Sequence, residues 1–346
     1  MLTRRVVLGL GAGAALSIGA GALLPAGRPV EARGEFVDAA GRQVQLPRRV
    51  SRVFAAGPPA SVLLYAVAPD MMVGWASALS EAEKAFVAAP YRDLPEHGRL
   101  TGRGNTANLE QVAALAPDLI IDSGQTDRTY ASLADRVQDQ TGVPYVLLDG
   151  TLAQSAETIR ALGRLLGAEA RAERLAVYAD SVVAEIALRA AAPADRRVRL
   201  YYGRGPEGLE TGRAGSITVE LIEALAHNVA ADAGAGGLTN ISPEQLLLWN
   251  PDVIVAQDPR FRDALRSDGR WMGLKAVREG RVFLQPSLPF GWIDAPPGVN
   301  RLIGARWLRA ILSGGVQDLR AEVAAFYALF FQVRLSDAQL DTLLQG

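Results

Sequence analysis

The chain has 346 residues, enough for about two domains of ordinary size. Apolar residues make up 49% and charged residues 21%, so each half can bury a core, and a net charge of −1 supplies no basic field for nucleic acid. The absence of cysteine excludes disulfides, thiolate metal sites and a cysteine nucleophile, and with it an acylated-cysteine anchor; two histidines, His97 and His227, are too few for an ordinary protein-built zinc or copper site.

Arg4-Arg5 precede a Gly- and Ala-rich, weakly apolar run to about Leu24, and small side chains stand around Val30-Glu31-Ala32. Paired arginines before such a run resemble a twin-arginine export signal. Residues 1–32 are therefore expected to be a cleaved address, the mature chain starting near Arg33 outside the cytoplasm.

Val50–Ala56 reads as a strand that ends in Gly57-Pro58-Pro59, a loop opening a helix through Leu63 and Leu64. Met72–Trp75 reads as a second short strand. A helix follows over Leu109–Leu115, with Asn108 as N-cap and Pro117 as stop, then buried strands over Leu119–Ile121 and Pro144–Leu148. Strands alternating with helices indicate parallel βαβ units. From about Ala153 to Ala192 the strand signal vanishes. Ile159, Leu162 and Leu166 keep a helical period up to Gly167. Leu175, Tyr178, Val182 and Ile186 then share one face of a helix of about 22 residues, roughly 33 Å long at 1.5 Å per residue. Pro193 closes it. The alternation resumes with strands at Val198–Tyr202, Val253–Ala256 and Val282–Leu284 and helices at Thr218–Ala226, Pro243–Trp249 and Pro297–Leu312.

One phrase occurs twice. LEQVAALAPDLII (109–121) and PEQLLLWNPDVIV (243–255) align Glu110 with Glu244, Pro117 with Pro251 and Asp118 with Asp252 at a constant offset. The fold expected is α/β, with two Rossmann-like lobes of mainly parallel sheet bridged by one long helix. The lobes would be residues 33–152 and 194–346, and the helical segment 153–193.

In this arrangement the chain resembles the substrate-binding proteins of ABC importers for iron-siderophores, haem, vitamin B12 and some oxyanions. The matching phrases are Asn108-Leu109-Glu110 with PDLII, GRAGSITVELIEALAHN (212–228), Ser242-Pro243-Glu244-Gln245 with PDVIV, and GWIDAPPGVNR (291–301) leading into Trp307-Leu308. Where the family often has Gly-Gly before the Asn, this chain has Ala226-His227. The resemblance implies a ligand held between two lobes and a surface glutamate on each lobe that docks onto arginines of a dimeric permease, here Glu110 and Glu244. Paired like charges can also steer that encounter, and a first-turn glutamate is in any case favoured by the helix dipole.

In open α/β sheets ligands sit beyond the carboxyl ends of strands, which directs attention to the loops there. Arg103, Arg204 and Arg213 offer planar donor forks for anionic groups, and Pro59, Trp75, Tyr130, Phe290 and Trp292 offer apolar or aromatic wall. Arg262 is a further arginine in these loops. Asp294 reads equally as the N-cap of the following helix and as a ligand contact, and Arg301 as the partner of a carboxylate in its own lobe. Tyr201 and Tyr202, adjacent on a strand, point to opposite faces and cannot clamp one iron together.

The function expected is capture of a metal chelate, foremost a ferric siderophore, and its delivery by a monomer to an ABC permease. Metal would arrive only within the ligand, and no cofactor is expected. An oxyanion such as molybdate, a cobalamin or a haem is the alternative within the class. A bilobed metal-chelatase-like enzyme is the alternative outside it, disfavoured because the chain carries no G-x-S-x-G elbow, phosphate loop or His-rich motif. A sensor built on the same fold is a third reading.

Overall fold

The computed structural model describes residues 32–102, 104, 106–190, 197–314 and 319–345. Residues 1–31 of the segment expected to be an export signal, and Arg103, lie outside the described residues.

Two separate parallel sheets carry the architecture. In the first, Val53–Ala55, Leu119–Gly124 and Tyr145–Asp149 lie in that order. Their inner residues are fully buried, as continuous apolar runs in a parallel sheet require. In the second, the order is Val282–Leu284, Val253–Ala256, Arg199–Gly203, His227–Asn228, again parallel. Met72–Trp75 does not form the expected strand. Only isolated bridges survive, Val53 with Met72 and Trp75 with Glu96, because the chain turns away after each contact. Two antiparallel pairings were not expected, a hairpin of Ala32–Val37 with Gln43–Pro47 and a long-range pair of Glu210–Gly212 with Leu238–Asn240.

The repeated phrase is a repeated structure. Helix Leu109–Ala114 leads into the middle strand of the first sheet, and helix Pro243–Trp249 into an inner strand of the second. Between helix and strand, Ala116 and Asn250 occupy the same left-handed conformation, each with φ 44°. The amides of Asp118 and Asp252 donate to the carbonyls of Arg52 and Arg199, both at 2.8 Å. Their carboxylates accept from the amides of the same arginines, at 2.9 and 3.0 Å. The guanidiniums of Arg52 and Arg199 cap the preceding helices at the Leu115 and Trp249 carbonyls, each at 2.8 Å. Aspartate and arginine thus tie helix end to strand start twice, satisfying backbone groups that would otherwise be orphaned.

The helix Glu169–Ala190, 22 residues long, bridges the two sheets' lobes. It is preceded by helix Ser155–Leu166, which ends at left-handed Gly167. The two helices meet closely at Gly163, where a Cβ would stand 2.3 Å from that of Ala172. Ala172, Leu175, Ala176, Ala179 and Val182 bury one face of the bridge in the main core.

After the second sheet the chain returns to the first lobe. Phe326, Tyr327, Phe330 and Phe331 are buried. Phe331 stacks on Tyr65 at 6.2 Å and its carbonyl accepts from the Tyr65 hydroxyl. Tyr327 meets Phe86 edge-on at 6.1 Å, and Gln339 Nε2 donates to the Ala85 carbonyl at 2.9 Å. This C-terminal strap is a second connection between the lobes. A third is Arg301, 1% exposed. It donates to Glu220 Oε2 and to the Gly150 carbonyl, both at 2.5 Å, and to the Gly298 carbonyl at 3.3 Å. Glu220 in turn accepts from the Leu152 amide at 2.8 Å. Arg301 therefore pairs within its own lobe and also grips the first.

Candidate functional site

A cleft of ≈480 Å³ opens where the carboxyl ends of the strands of both lobes face each other. Its first wall comes from Pro58 and Pro59 after strand Val53–Ala55, from Trp75, from Arg99–Gly102, and from Asp122 to Tyr130 at the end of the middle strand. The second wall comes from Arg204, Ile217, Thr218 and Leu238 and from the Pro289–Pro297 segment.

Local chemistry fixes the loops. Gly57 lets the first loop approach the floor, since a Cβ there would stand 2.5 Å from Thr101 Oγ1. Asp122 is 4% exposed. Its Oδ1 accepts from Thr101 Oγ1 at 3.1 Å and from the Ser123 amide at 2.9 Å, and its Oδ2 accepts from the Tyr145 hydroxyl at 3.2 Å. Burial nevertheless pushes its carboxyl above the ordinary range, with the three donors pulling the other way. Across the cleft Asp294, 2% exposed, is pushed up by burial as well, against the pull of Arg204. Arg204 Nε lies 2.6 Å from Asp294 Oδ2, and its Nη1 contacts Glu210. Tyr202 lies behind, its hydroxyl donating to Gln285 Oε1 at 3.0 Å, while Tyr201 donates to the Gly208 carbonyl at 2.7 Å on the other face of the strand. Neither tyrosine lines the cleft.

Of the residues singled out in the sequence, Pro59, Trp75, Tyr130, Arg204, Phe290 and Asp294 are brought together at the cleft. Trp75 and Phe290 come from different lobes, with ring centroids 6.0 Å apart, and burial raises the Tyr130 phenol. Trp292 is not on the wall. It is fully buried, its Nε1 donating to the Tyr327 hydroxyl at 3.2 Å and its ring edge-on to Trp307. The proline-flanked turn folds it inward because its indole finds both apolar neighbours and an acceptor there. Arg213 also lies off the cleft, its nearest acceptor being the Leu238 carbonyl at 3.4 Å, and Arg262 pairs with Asp263 at 2.7 Å. Asp294 is not a helix cap. The helix starts only at Arg301, because Pro296-Pro297-Gly298 turns on itself, Asn300 Nδ2 reaching back to the Pro296 carbonyl at 2.9 Å.

Arg99 was missed. It lines the cleft without an ion-pair partner among the described residues, and its Nε is enclosed with no acceptor. It sits in an irregular segment with no strand before it, so strand-end reasoning passed over it. Glu110 and Glu244 are both exposed in the first turn of matching helices. The Glu244 carboxyl is held below its usual range, first by its own backbone amide and then by Ser242.

Two α/β lobes tied by a long helix, with an amphipathic cleft between them, make an architecture of the clamp type. The periplasmic binding protein family model matches residues 64–288, and the chain belongs to that family. It is 34% identical over 146 residues to the molybdate-binding protein MolA of Haemophilus influenzae, a match covering 40% of each chain. It is 26% identical over 183 residues to the ABC transporter substrate-binding lipoprotein YvrC of Bacillus subtilis, covering 51% of this chain and 57% of that one. The chain thus aligns with about half the length of these curated relatives. Among solved structures, an ABC transporter solute-binding protein from Sulfurospirillum deleyianum superposes with a TM-score of 0.81 at 30% identity, over 90% of this chain and 99% of that one.

Proposed function

We propose that this chain is the periplasmic solute-binding component of an ABC importer, and that it captures a metal chelate in the interlobe cleft without turning it over. The lobes are taken as residues 33–152 and 194–346, with 153–193 as the bridge. The cleft itself carries the reading. Its ≈480 Å³ falls in the range of pockets that bury a ligand of several hundred daltons, and its wall is mainly apolar and aromatic with a few convergent polar groups. A ferric siderophore has that size and mixed character, and would bring its metal already ligated. Delivery as a monomer would run through Glu110 and Glu244 onto a permease dimer. A second reading, a molybdate-type oxyanion, is favoured by the likeness to MolA.

Native mass spectrometry of the protein purified from its own host, grown in iron-poor medium, tests both. A non-covalent adduct of several hundred daltons that carries iron supports the chelate. An adduct with the mass of a small oxyanion overturns it in favour of the second reading.

A further inference from the structure

Among its described residues the cleft carries fewer free charges than its arginines lead one to expect. Among the described residues that line it, Arg99 and Arg204 bear guanidiniums, and Glu83, Asp122 and Asp294 bear carboxylates. Arg204 is committed to Asp294 and Glu210. The carboxylates are committed as well. Asp294 Oδ1 accepts from the Ala295 amide at 2.7 Å, Asp122 has its three donors, and Glu83 Oε2 accepts from the Ser80 amide and hydroxyl, both at 2.7 Å. Arg99 differs: its enclosed Nε meets neither a hydrogen-bond acceptor nor a carboxylate among the described residues, whereas Arg204 Nε and Asp294 Oδ2, also without a well-aligned hydrogen bond, face each other as an ion pair at 2.6 Å. A buried donor left unmatched is costly, and an acceptor brought by a ligand recovers that cost.

We infer that the cleft selects a ligand bearing a single anionic group, seated on Arg99, with an otherwise uncharged body against Trp75 and Phe290. This rests on the chelate reading and narrows it to chelates of low net charge. Further anionic groups would face Asp122, Asp294 and Glu83 across a poorly solvated wall, where like charges repel strongly. To use Arg204, a ligand would first have to displace Asp294.

Calorimetric titration of the full chain tests this with four probes: a neutral ferric tris-hydroxamate, a monoanionic ferric bis-hydroxamate α-hydroxycarboxylate, a trianionic ferric tris-catecholate, and molybdate. The monoanionic chelate should bind tightest. Arg99→Gln should weaken it by about ten- to a hundredfold, the loss of one charge-assisted hydrogen bond, and leave the neutral chelate nearly unchanged. Arg99→Lys should recover part of the loss. The charge series on the unaltered chain is decisive even where a variant folds poorly. Equal or tighter binding of the trianionic chelate overturns the charge inference and leaves the chelate reading standing, as does an Arg99→Gln variant that weakens neutral and monoanionic chelates alike. Binding of molybdate alone, or of none of the four, overturns both.

Discussion

Replacing Arg301 by methionine should remove the grip that joins the two lobes near the bridge. The guanidinium is almost wholly buried and donates to Glu220 and to the carbonyls of Gly150 and Gly298. Methionine keeps most of the packing volume but none of the donors. Breaking a buried ion pair from one side costs about 3–5 kcal/mol. Glu220, with its side chain 29% exposed, recovers part of this through water and keeps the Leu152 amide. Two carbonyls that lose a donor add about 1 kcal/mol each. A net loss of about 3–5 kcal/mol follows, and with it a fall in Tm of roughly 4–8 °C for a chain of this size, at about 2.1 cal/mol/K of unfolding entropy per residue. Circular dichroism through the thermal transition measures it. A double-mutant cycle with Glu220→Gln should show a coupling of about 1–3 kcal/mol. A Tm within about 2 °C of the parent, or strictly additive single effects, would show that the contact holds nothing together.

Glu110→Lys with Glu244→Lys should abolish uptake in cells while ligand affinity, measured by titration, stays intact; lost affinity would sink the docking assignment. Trp292→Ala should cost about 3–5 kcal/mol in stability, read by thermal unfolding, yet leave affinity unchanged well below the transition; a selective loss of affinity would return Trp292 to the ligand wall. Asp122→Asn should flatten the pH dependence of stability. With its folded pKa raised by burial, Asp122 is most favourable when protonated, so its contribution is fully present below its ordinary unfolded value and is lost as pH rises through the raised one. Tm measured against pH should therefore show the variant gaining on the parent as pH climbs from about 4; a constant difference would refute the role of burial.

Much of the architecture was legible because it rests on patterns with a fixed period. Gly167 ended one helix where a left-handed residue was needed, and the repeated Pro-Asp phrase marked the same turn twice. The aspartate explains why the phrase is spelled alike in both places, since it fastens the neighbouring strand's first amide. The hairpin at Ala32–Val37 and Gln43–Pro47 was not legible although Gly41 and Asp38 supply its turn, because Gly34, Glu35, Gln43 and Gln45 leave its short strands without an apolar run. The site was less legible. Loop position pointed to Arg204 and Phe290, which line the cleft, and by the same rule to Trp292 and Arg213, which do not. Which way a loop side chain turns depends on acceptors contributed from far along the chain, such as the Tyr327 hydroxyl 35 residues beyond Trp292. Arg99 left no mark because its significance lies in a partner it lacks, and a sequence records only the partners that are present.

The strap, the bridge and Arg301 tie the two walls of the cleft together at three separate places. Each tie has to be strained or broken before the walls can part, so opening costs more than the turn of a single flexible hinge. On the proposed delivery to a permease, the work of unloading would come from outside, as mechanical strain applied when both jaws are seized at once. Affinity and rate of hand-over would then be separate properties under that proposal, one set by the cleft and the other by the machine that prises it apart.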